Sequence, residues 1–271
     1  MLELPEIETY KKLLSEQIIN KLITEVRVAE EKLVNLDPAE FVNELTGQEV
    51  LFIERRGKFL LFHLDNGRRL LLHLGLTGSM HYGPQEDEEH QTGHLAIAFG
   101  TNVLSFNGLR QGYLHMLSVK DADSILSDLG PELLDRRMTL AKFKELFNKK
   151  RGMLKSALVQ QNFVAGLGNV YADEIAFDAA LLPSVKLQEL SEETIERLYR
   201  SVQHVLTEAI EQGGVGEQHF SADDTLTGGY RQQIRVYDRE GQSCPRCGAK
   251  IQKTEVGSRK TYFCGECQGE H

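Results

Sequence analysis

All four cysteines of the 271-residue chain stand in two tight pairs near its end: Cys244-Pro245-Arg246-Cys247 and, after sixteen intervening residues, Cys264-Gly265-Glu266-Cys267. A CxxC turn points both sulfurs at one centre, and two such turns at this separation can close a tetrahedral thiolate site on Zn2+. Two disulfides or a redox pair would use the same residues. The N-terminal stretch MLELPEIETYKKLL, however, carries carboxylates where a signal peptide carries positive charge and has no unbroken apolar run. A cytoplasmic location is therefore expected, and one structural zinc is favoured over disulfides. A ribbon of this size has almost no core of its own, so the metal would hold it folded. Lys253, Arg259 and Lys260 lie between the knuckles. A zinc-pinned hairpin displaying arginine suits nucleic acid; by spacing alone it equally suits a protein partner.

Ahead of the cysteines the texture changes twice. Residues 5–20 read as one amphipathic helix, with Pro5 suited to the first turn, Glu6 and Glu8 at the positive helix end, and Leu13, Leu14, Ile18 and Ile19 at helical spacing. From about 21 to 118 short runs rich in Val, Ile, Leu and Phe alternate with Gly and Asn-Gly breaks, which predicts a β-sandwich or barrel. Gln85 to Glu89 should be an exposed loop. Beyond 120 the spacing turns helical, near 121–127, 139–148, 152–161, 169–179 and 191–212, the last opened by Ser191 in a capping box. The stretch 213–233 is rich in Gly, Ser, Thr and Asp without apolar periodicity, as functional loops often are. Domains are therefore expected at 1–118, 119–233 and 234–271. Hydrophobic residues make 41% and no apolar run approaches the roughly 18 residues of a membrane span, so no membrane partner is expected.

The 31 Lys and Arg against 40 Asp and Glu, a formal charge of −9, argue against unspecific polyanion binding by the whole surface. Basic stripes sit on this acidic body: NKKRGMLK at 148–155, and five basic residues against two acids between Glu54 and Arg69. They fit phosphate along one face, or simply solvated surfaces. Just beyond the first stripe lies VAGLGNVYADE, Val164 to Glu174. A Gly-Leu-Gly-Asn turn opening a helix presents free N–H groups and an Asn amide to a phosphate oxygen, although such turns also join helices with no ligand.

The order of these parts, with an ELPE start, RRGKFLLFHL, HLGLTGS, LGPE at 129–132, VAGLGNVYADE, IRVYDREGQSCPRCG and the last CxxC, resembles the bacterial formamidopyrimidine-DNA glycosylase and endonuclease VIII family over nearly the whole chain. The resemblance implies an α+β protein: an N-terminal β-sandwich with a leading helix, then a helix-two-turn-helix domain with a zinc finger. It implies base-excision repair, in which a damaged base is flipped from duplex DNA and its glycosidic bond cut, followed by β-elimination at the backbone. Residue by residue, it gives Glu3 as the carboxylate that handles protons at the sugar, and Glu6 as the acid near the terminal amine. Lys58 falls near the active site and lesion phosphate. His73, Lys155, Asn169, Arg259 and Tyr230 fall on positions that hold phosphates or line the lesion side, and 213–235 on the loop that closes over the flipped base. Double-stranded damaged DNA is the implied partner, association with the nucleoid follows from it, one zinc is the implied cofactor with no small-molecule cofactor besides, and a monomer is expected.

The sequence departs from the family in two places. The family begins Met-Pro-Glu-Leu-Pro-Glu, and its proline attacks the sugar C1′; here Leu2 holds that place. The Met1 amine is then primary and one residue too far out, and a displacement of about 1 Å can cost roughly a hundredfold, which puts the lyase step in doubt. The wedge that fills the gap left by a flipped base comes in the family from HLGM and DPRRFG. Here these read with Leu76 and with Asn107 to Gly112, so that Arg110 is kept and Gly112 is read at the Phe place, with Leu109 or Tyr113 as substitutes. Asp223 and Asp224 in the capping loop suggest contacts to a cationic or bulky lesion. The expectation is thus a DNA glycosylase. Its rival is a catalytically silent binder of damaged or abasic DNA on the same fold, and a zinc-ribbon protein-interaction module comes third.

Overall fold

The computed structural model describes residues 2–87 and 93–269; Met1, and Glu88 and Glu89 of the expected loop, lie outside them. The chain forms two compact units, Met1–Asp128 with Gln212–Gly229, and Leu129–Glu211 with Tyr230–His271.

In the first unit, α1 (Leu4–Ile18) buries Leu4, Ile7, Tyr10, Leu14 and Ile18, one face of a helix at spacings of three and four. It packs against β2 (Val50–Arg56). The strand-rich region makes two four-stranded antiparallel sheets. One has the order β2, β3 (Phe59–Leu64), β4 (Arg69–His73), β8 (Tyr113–Leu117); the other runs β1 (Glu25–Val28), β6 (Leu95–Phe99), β7 (Asn102–Asn107), β5 (Ser79–Pro84). One core holds Phe62, Leu72, Ile97, Phe106 and Met116 from the strands with Ile7 and Tyr10 from α1. Each such fully buried side chain contributes about 1.5–3 kcal/mol. A short helix, α2 (Pro38–Leu45), interrupts the strand-rich region; Asp37 caps it by accepting from Ala39 and Glu40 N–H. Helix α3 (Val119–Ser127) lays Ala122 and Leu126 against Leu61, Leu71 and Leu117 of the β2-to-β8 sheet.

Much of the segment expected as the capping loop is built into this same unit. Phe220 is 1% exposed, stacks on Tyr82 at 5.9 Å and lies 6.2 Å from Tyr10, while its carbonyl accepts Tyr82 N–H at 2.6 Å.

The second unit is helical: α4 (Leu140–Lys149), α5 (Leu154–Leu158), α6 (Asn169–Asp178) and α7 (Glu192–Glu211). Phe143, Phe147, Ile175, Leu198 and Val202 are buried, and α7 packs on both α4 and α6. Ser191 accepts from Thr194 N–H at the start of α7, and the two hydroxyls meet at 2.9 Å. The unit ends in a hairpin of β9 (Gln252–Val256) and β10 (Arg259–Phe263) beside the cysteine turns. Among the described residues no helix is long and apolar enough to cross a membrane.

Candidate functional site

Glu3 is the N-cap of α1 and is 1% exposed. Its side chain takes the Glu6 N–H while Glu6 Oε2 accepts Glu3 N–H at 2.8 Å, a reciprocal capping box. The other Glu6 oxygen, Oε1, accepts Val215 N–H at 2.8 Å. Gly214, at φ +68°, lies so close that an added Cβ would stand 2.2 Å from that oxygen. Glu6 thus ties the first turn of α1 to the turn at 213–215 and fixes the backbone of Glu3. Leu2, Thr9, Tyr10, Gly213, Gly216 and Thr227 gather around Glu6 here.

Lys58 sits half-buried on the β2–β3 turn, where Gly57 supplies a positive φ of 57°. Arg55 bonds both the Gly57 carbonyl at 3.1 Å and Glu8 of α1 at 2.6 Å, which joins that turn to the helix bearing Glu3. Burial would raise the Glu8 carboxyl, but Lys11 and Arg55 outweigh it and hold the group below the usual range. At the end of β4, His73 lies across from Phe59 and Tyr113, with ring distances of 4.8 and 5.8 Å. Burial pushes its imidazole down; a bond to the Gln111 backbone opposes this and the charge of Lys58 adds to it. Burial and the Lys58 charge thus both favour the neutral imidazole of His73.

Two turns beyond them are welded back to back. Leu76 N–H donates to the Arg110 carbonyl at 3.2 Å and Thr77 Oγ1 to the Gly108 carbonyl at 2.8 Å. A Cβ on Gly75 would meet the Arg110 oxygen at 2.2 Å, and one on Gly112 the His73 oxygen at 2.6 Å. From this platform Leu76, 44% exposed, projects together with exposed Arg110 and Gln111. Position 112 cannot carry the wedge, because no side chain fits there; Gln111, at φ +59°, is the residue presented beside Arg110. Leu109 is buried in the core and Tyr113 stacks on His115 at 4.0 Å, so neither substitutes.

In the second unit Asn169 opens α6 after the Gly166-Leu167-Gly168 turn, which Gln161 braces by accepting Gly166 N–H and donating to the Leu167 carbonyl. Asn169 Oδ1 is buried without a hydrogen-bond partner among the described residues. Arg259 is exposed at the tip of the β9–β10 hairpin. The four Sγ atoms of Cys244, Cys247, Cys264 and Cys267 lie within 4.8 Å of one another. Cys244 and Cys267 stand 3.8 Å apart, Cys247 and Cys264 3.5 Å. Bonds of about 2.3 Å to a tetrahedral Zn2+ require sulfurs roughly 3.8 Å apart, so the donor set fits that ion.

Residues 1–113, 129–221 and 241–269 match, in turn, the formamidopyrimidine-DNA glycosylase N-terminal domain, the formamidopyrimidine-DNA glycosylase H2TH domain, and the zinc finger found in FPG and IleRS. The formamidopyrimidine-DNA glycosylase of Thermus thermophilus is 36% identical over 278 residues, covering 100% of this chain and 99% of that protein. That of Bacillus subtilis is 35% identical over 276 residues, with 99% of each covered. The Lactococcus lactis Fpg solved with abasic-site DNA superposes with a TM-score of 0.89 at 31% identity, over 99% of this chain and 100% of that one. The same enzyme solved with N7-benzyl-Fapy-dG DNA gives 0.90 at the same identity and coverage. The chain belongs to the formamidopyrimidine-DNA glycosylase family.

Within this formamidopyrimidine-DNA glycosylase fold, three residues expected at the ligand lie elsewhere. Lys155 is 0% exposed, with its ammonium on Asp173 Oδ1 and Oδ2 at 2.7 and 2.9 Å and on the Lys260 carbonyl at 2.6 Å; no donor is left for a phosphate. Tyr230 is also 0% exposed, its ring 6.1 Å from that of Tyr171. Asp224, in the capping loop, accepts Phe220, Leu226 and Thr227 N–H at 2.8, 2.9 and 3.1 Å, so it shapes the loop rather than facing a lesion. Asp223 is exposed. Two acids in VAGLGNVYADE carry more than the motif reading gave them. Asp173 pairs Lys155, and Glu174 accepts the N–H groups of Arg235, Val236 and Tyr237 at 2.9 Å each. Burial pushes both carboxyls up against these partners.

Proposed function

We propose that this chain is a base-excision DNA glycosylase that removes a damaged base from duplex DNA. The observation that carries the reading is Glu3: a carboxylate held almost out of solvent at the start of α1, its backbone pinned by Glu6, in a chain of this family. Glu3 moves the proton at the sugar as the glycosidic bond breaks. C1′ is attacked either by the Met1 amine or by a water that Glu3 deprotonates, and the base leaves with the proton it needs. Lys58 and His73 serve the lesion strand, Asn169 and Arg259 hold backbone phosphates, and Leu76 with Arg110 and Gln111 fills the space the base vacates. The sandwich with the capping loop built into it, the helical region, and the zinc finger act as catalytic, DNA-gripping and DNA-reading parts respectively. Structural relatives were solved with Fapy-dG and abasic-site DNA, which makes these duplexes the substrates to test.

The test is base release from a Fapy-dG duplex by wild type and by Glu3→Gln, together with borohydride trapping on an abasic duplex and mass mapping of any adduct. The reading expects release lost in Glu3→Gln with binding retained. An adduct on Met1 assigns the nucleophile to the amine, and none assigns it to water. Unchanged turnover in Glu3→Gln overturns the role of that carboxylate. Tight binding with no release by wild type leaves a damaged-DNA binder.

A further inference from the structure

We infer that the buried Lys155–Asp173 pair is a positioning device that stands in for a missing third strand beside the zinc hairpin and so sets the aim of Arg259. The inference rests on the DNA-binding role proposed above only for its last step.

The hairpin has two strands, β9 and β10, and a two-stranded ribbon is marginal in water because each outer edge leaves N–H and C=O groups unpaired. On β10 the carbonyl of Lys260 and the N–H of Tyr262 are taken by this pair. Lys155 Nζ donates to the carbonyl at 2.6 Å and Asp173 Oδ2 accepts the N–H at 3.0 Å. Lys155 and Asp173 also bond each other at 2.7 and 2.9 Å, so one donor and one acceptor from α5 and α6 meet one acceptor and one donor of the strand. Both side chains are wholly buried. The next residue of α5 completes the seat: Ser156 Oγ lies 2.7 Å from where a Cβ on Gly257, in the β9–β10 turn, would stand. Burying two charges is costly unless the pair makes further hydrogen bonds, and here those bonds are to the strand edge. Arg259 is the residue before Lys260, so the direction of its side chain follows from where the pair holds the strand.

The experiment uses the full zinc-loaded chain with Lys155→Met, Asp173→Asn, Arg259→Ala and the Lys155→Met/Arg259→Ala double variant. Zinc content and circular dichroism establish that each is folded. Hydrogen exchange without DNA is read at the amides of 260–263, and binding to a duplex with one tetrahydrofuran site is read across a salt series. Expected for Lys155→Met are exchange at Tyr262 at least tenfold faster and lesion-duplex affinity at least tenfold weaker, with a salt slope lower by about 1 because one phosphate contact is lost. The double variant should bind no more weakly than Arg259→Ala alone. Asp173→Asn, which keeps an oxygen for Tyr262 N–H, should fall between wild type and Lys155→Met, and it serves alone if Lys155→Met does not fold. Unchanged exchange at Tyr262, or losses from Lys155→Met and Arg259→Ala that multiply, would overturn the inference. If wild type shows no preference for the lesion duplex, the glycosylase reading fails while the exchange result still decides the role of the pair.

Discussion

Asp224→Ala should loosen the capping segment and leave lesion choice alone. The Asp224 side chain is fully buried and accepts three backbone N–H groups. Its burial acts to raise the carboxyl, but the Thr227 hydroxyl and these N–H groups outweigh it and hold the group below the usual range. An N–H left without an acceptor in the interior costs roughly 1–3 kcal/mol. Phe220 N–H is buried, whereas those of Leu226 and Thr227 stand on half-buried residues that water can reach after a small movement. The sum is about 3 kcal/mol, or a melting temperature lower by about 6–12 °C for a unit of this size. Because Phe220 belongs to the sandwich core, the loss should register in the whole first unit. Differential scanning calorimetry reads the shift, and cleavage by Glu-C at exposed Glu217 reads the local opening. Asp223→Ala, at an exposed position, should stay within about 0.5 kcal/mol of wild type. A melting temperature for Asp224→Ala within 2 °C of wild type, by roughly the same conversion, would refute the reasoning, as would a changed ranking of lesions in Asp223→Ala.

Two further outcomes follow from the first unit. Gly112→Ala drives a Cβ to 2.6 Å from the His73 carbonyl oxygen, so urea unfolding should report a loss of about 1–3 kcal/mol, with base release falling further than in Gln111→Ala. His73 should titrate below its ordinary value by NMR, and Lys58→Met should raise it only part of the way, because burial is the larger cause. Since folding lowers this pKa, the stability it contributes is complete above about pH 6.5 and is lost as pH falls through the folded value. A midpoint above 6.5 would contradict the burial described here.

Helices α1, α4 and α7 were legible because their burial repeats every three or four residues, a period that apolar spacing displays directly, whereas α6 is buried all round from Val170 to Phe177 and shows itself through the glycine turn that opens it. Helix α2 carried its own signal in Asp37-Pro38, but it sits among strand-like runs and is only eight residues long. The turns proposed as the wedge were half legible. Leu76 and Arg110 stand out as residues, whereas the ban on a side chain at position 112 comes from the end of β4, far away in sequence. Lys155 misled for a related reason. In NKKRGMLK it looks like one more surface charge, and its buried status is set by Asp173, eighteen residues on, and by a carbonyl 105 residues on. The four cysteines were readable because a metal imposes their spacing, while Glu3 stood out only through the family's start motif, its one local signal being the capping contact with Glu6 three positions on.

The chain leaves the first unit after Asp128 and comes back to it at Gln212, bringing Phe220 to Tyr10 and Tyr82 and Val215 to Glu6. On a ribosome, a sandwich made of residues 1–128 alone would wait with the seat of Phe220 empty while α4 to α7 are synthesised, for about 5–20 s at usual elongation rates. The carboxylate of Glu6 would meanwhile lack the Val215 N–H that completes its setting. The end of the chain that carries Glu3 and Glu6 is thus among the last parts to be finished, although it is the first to be made.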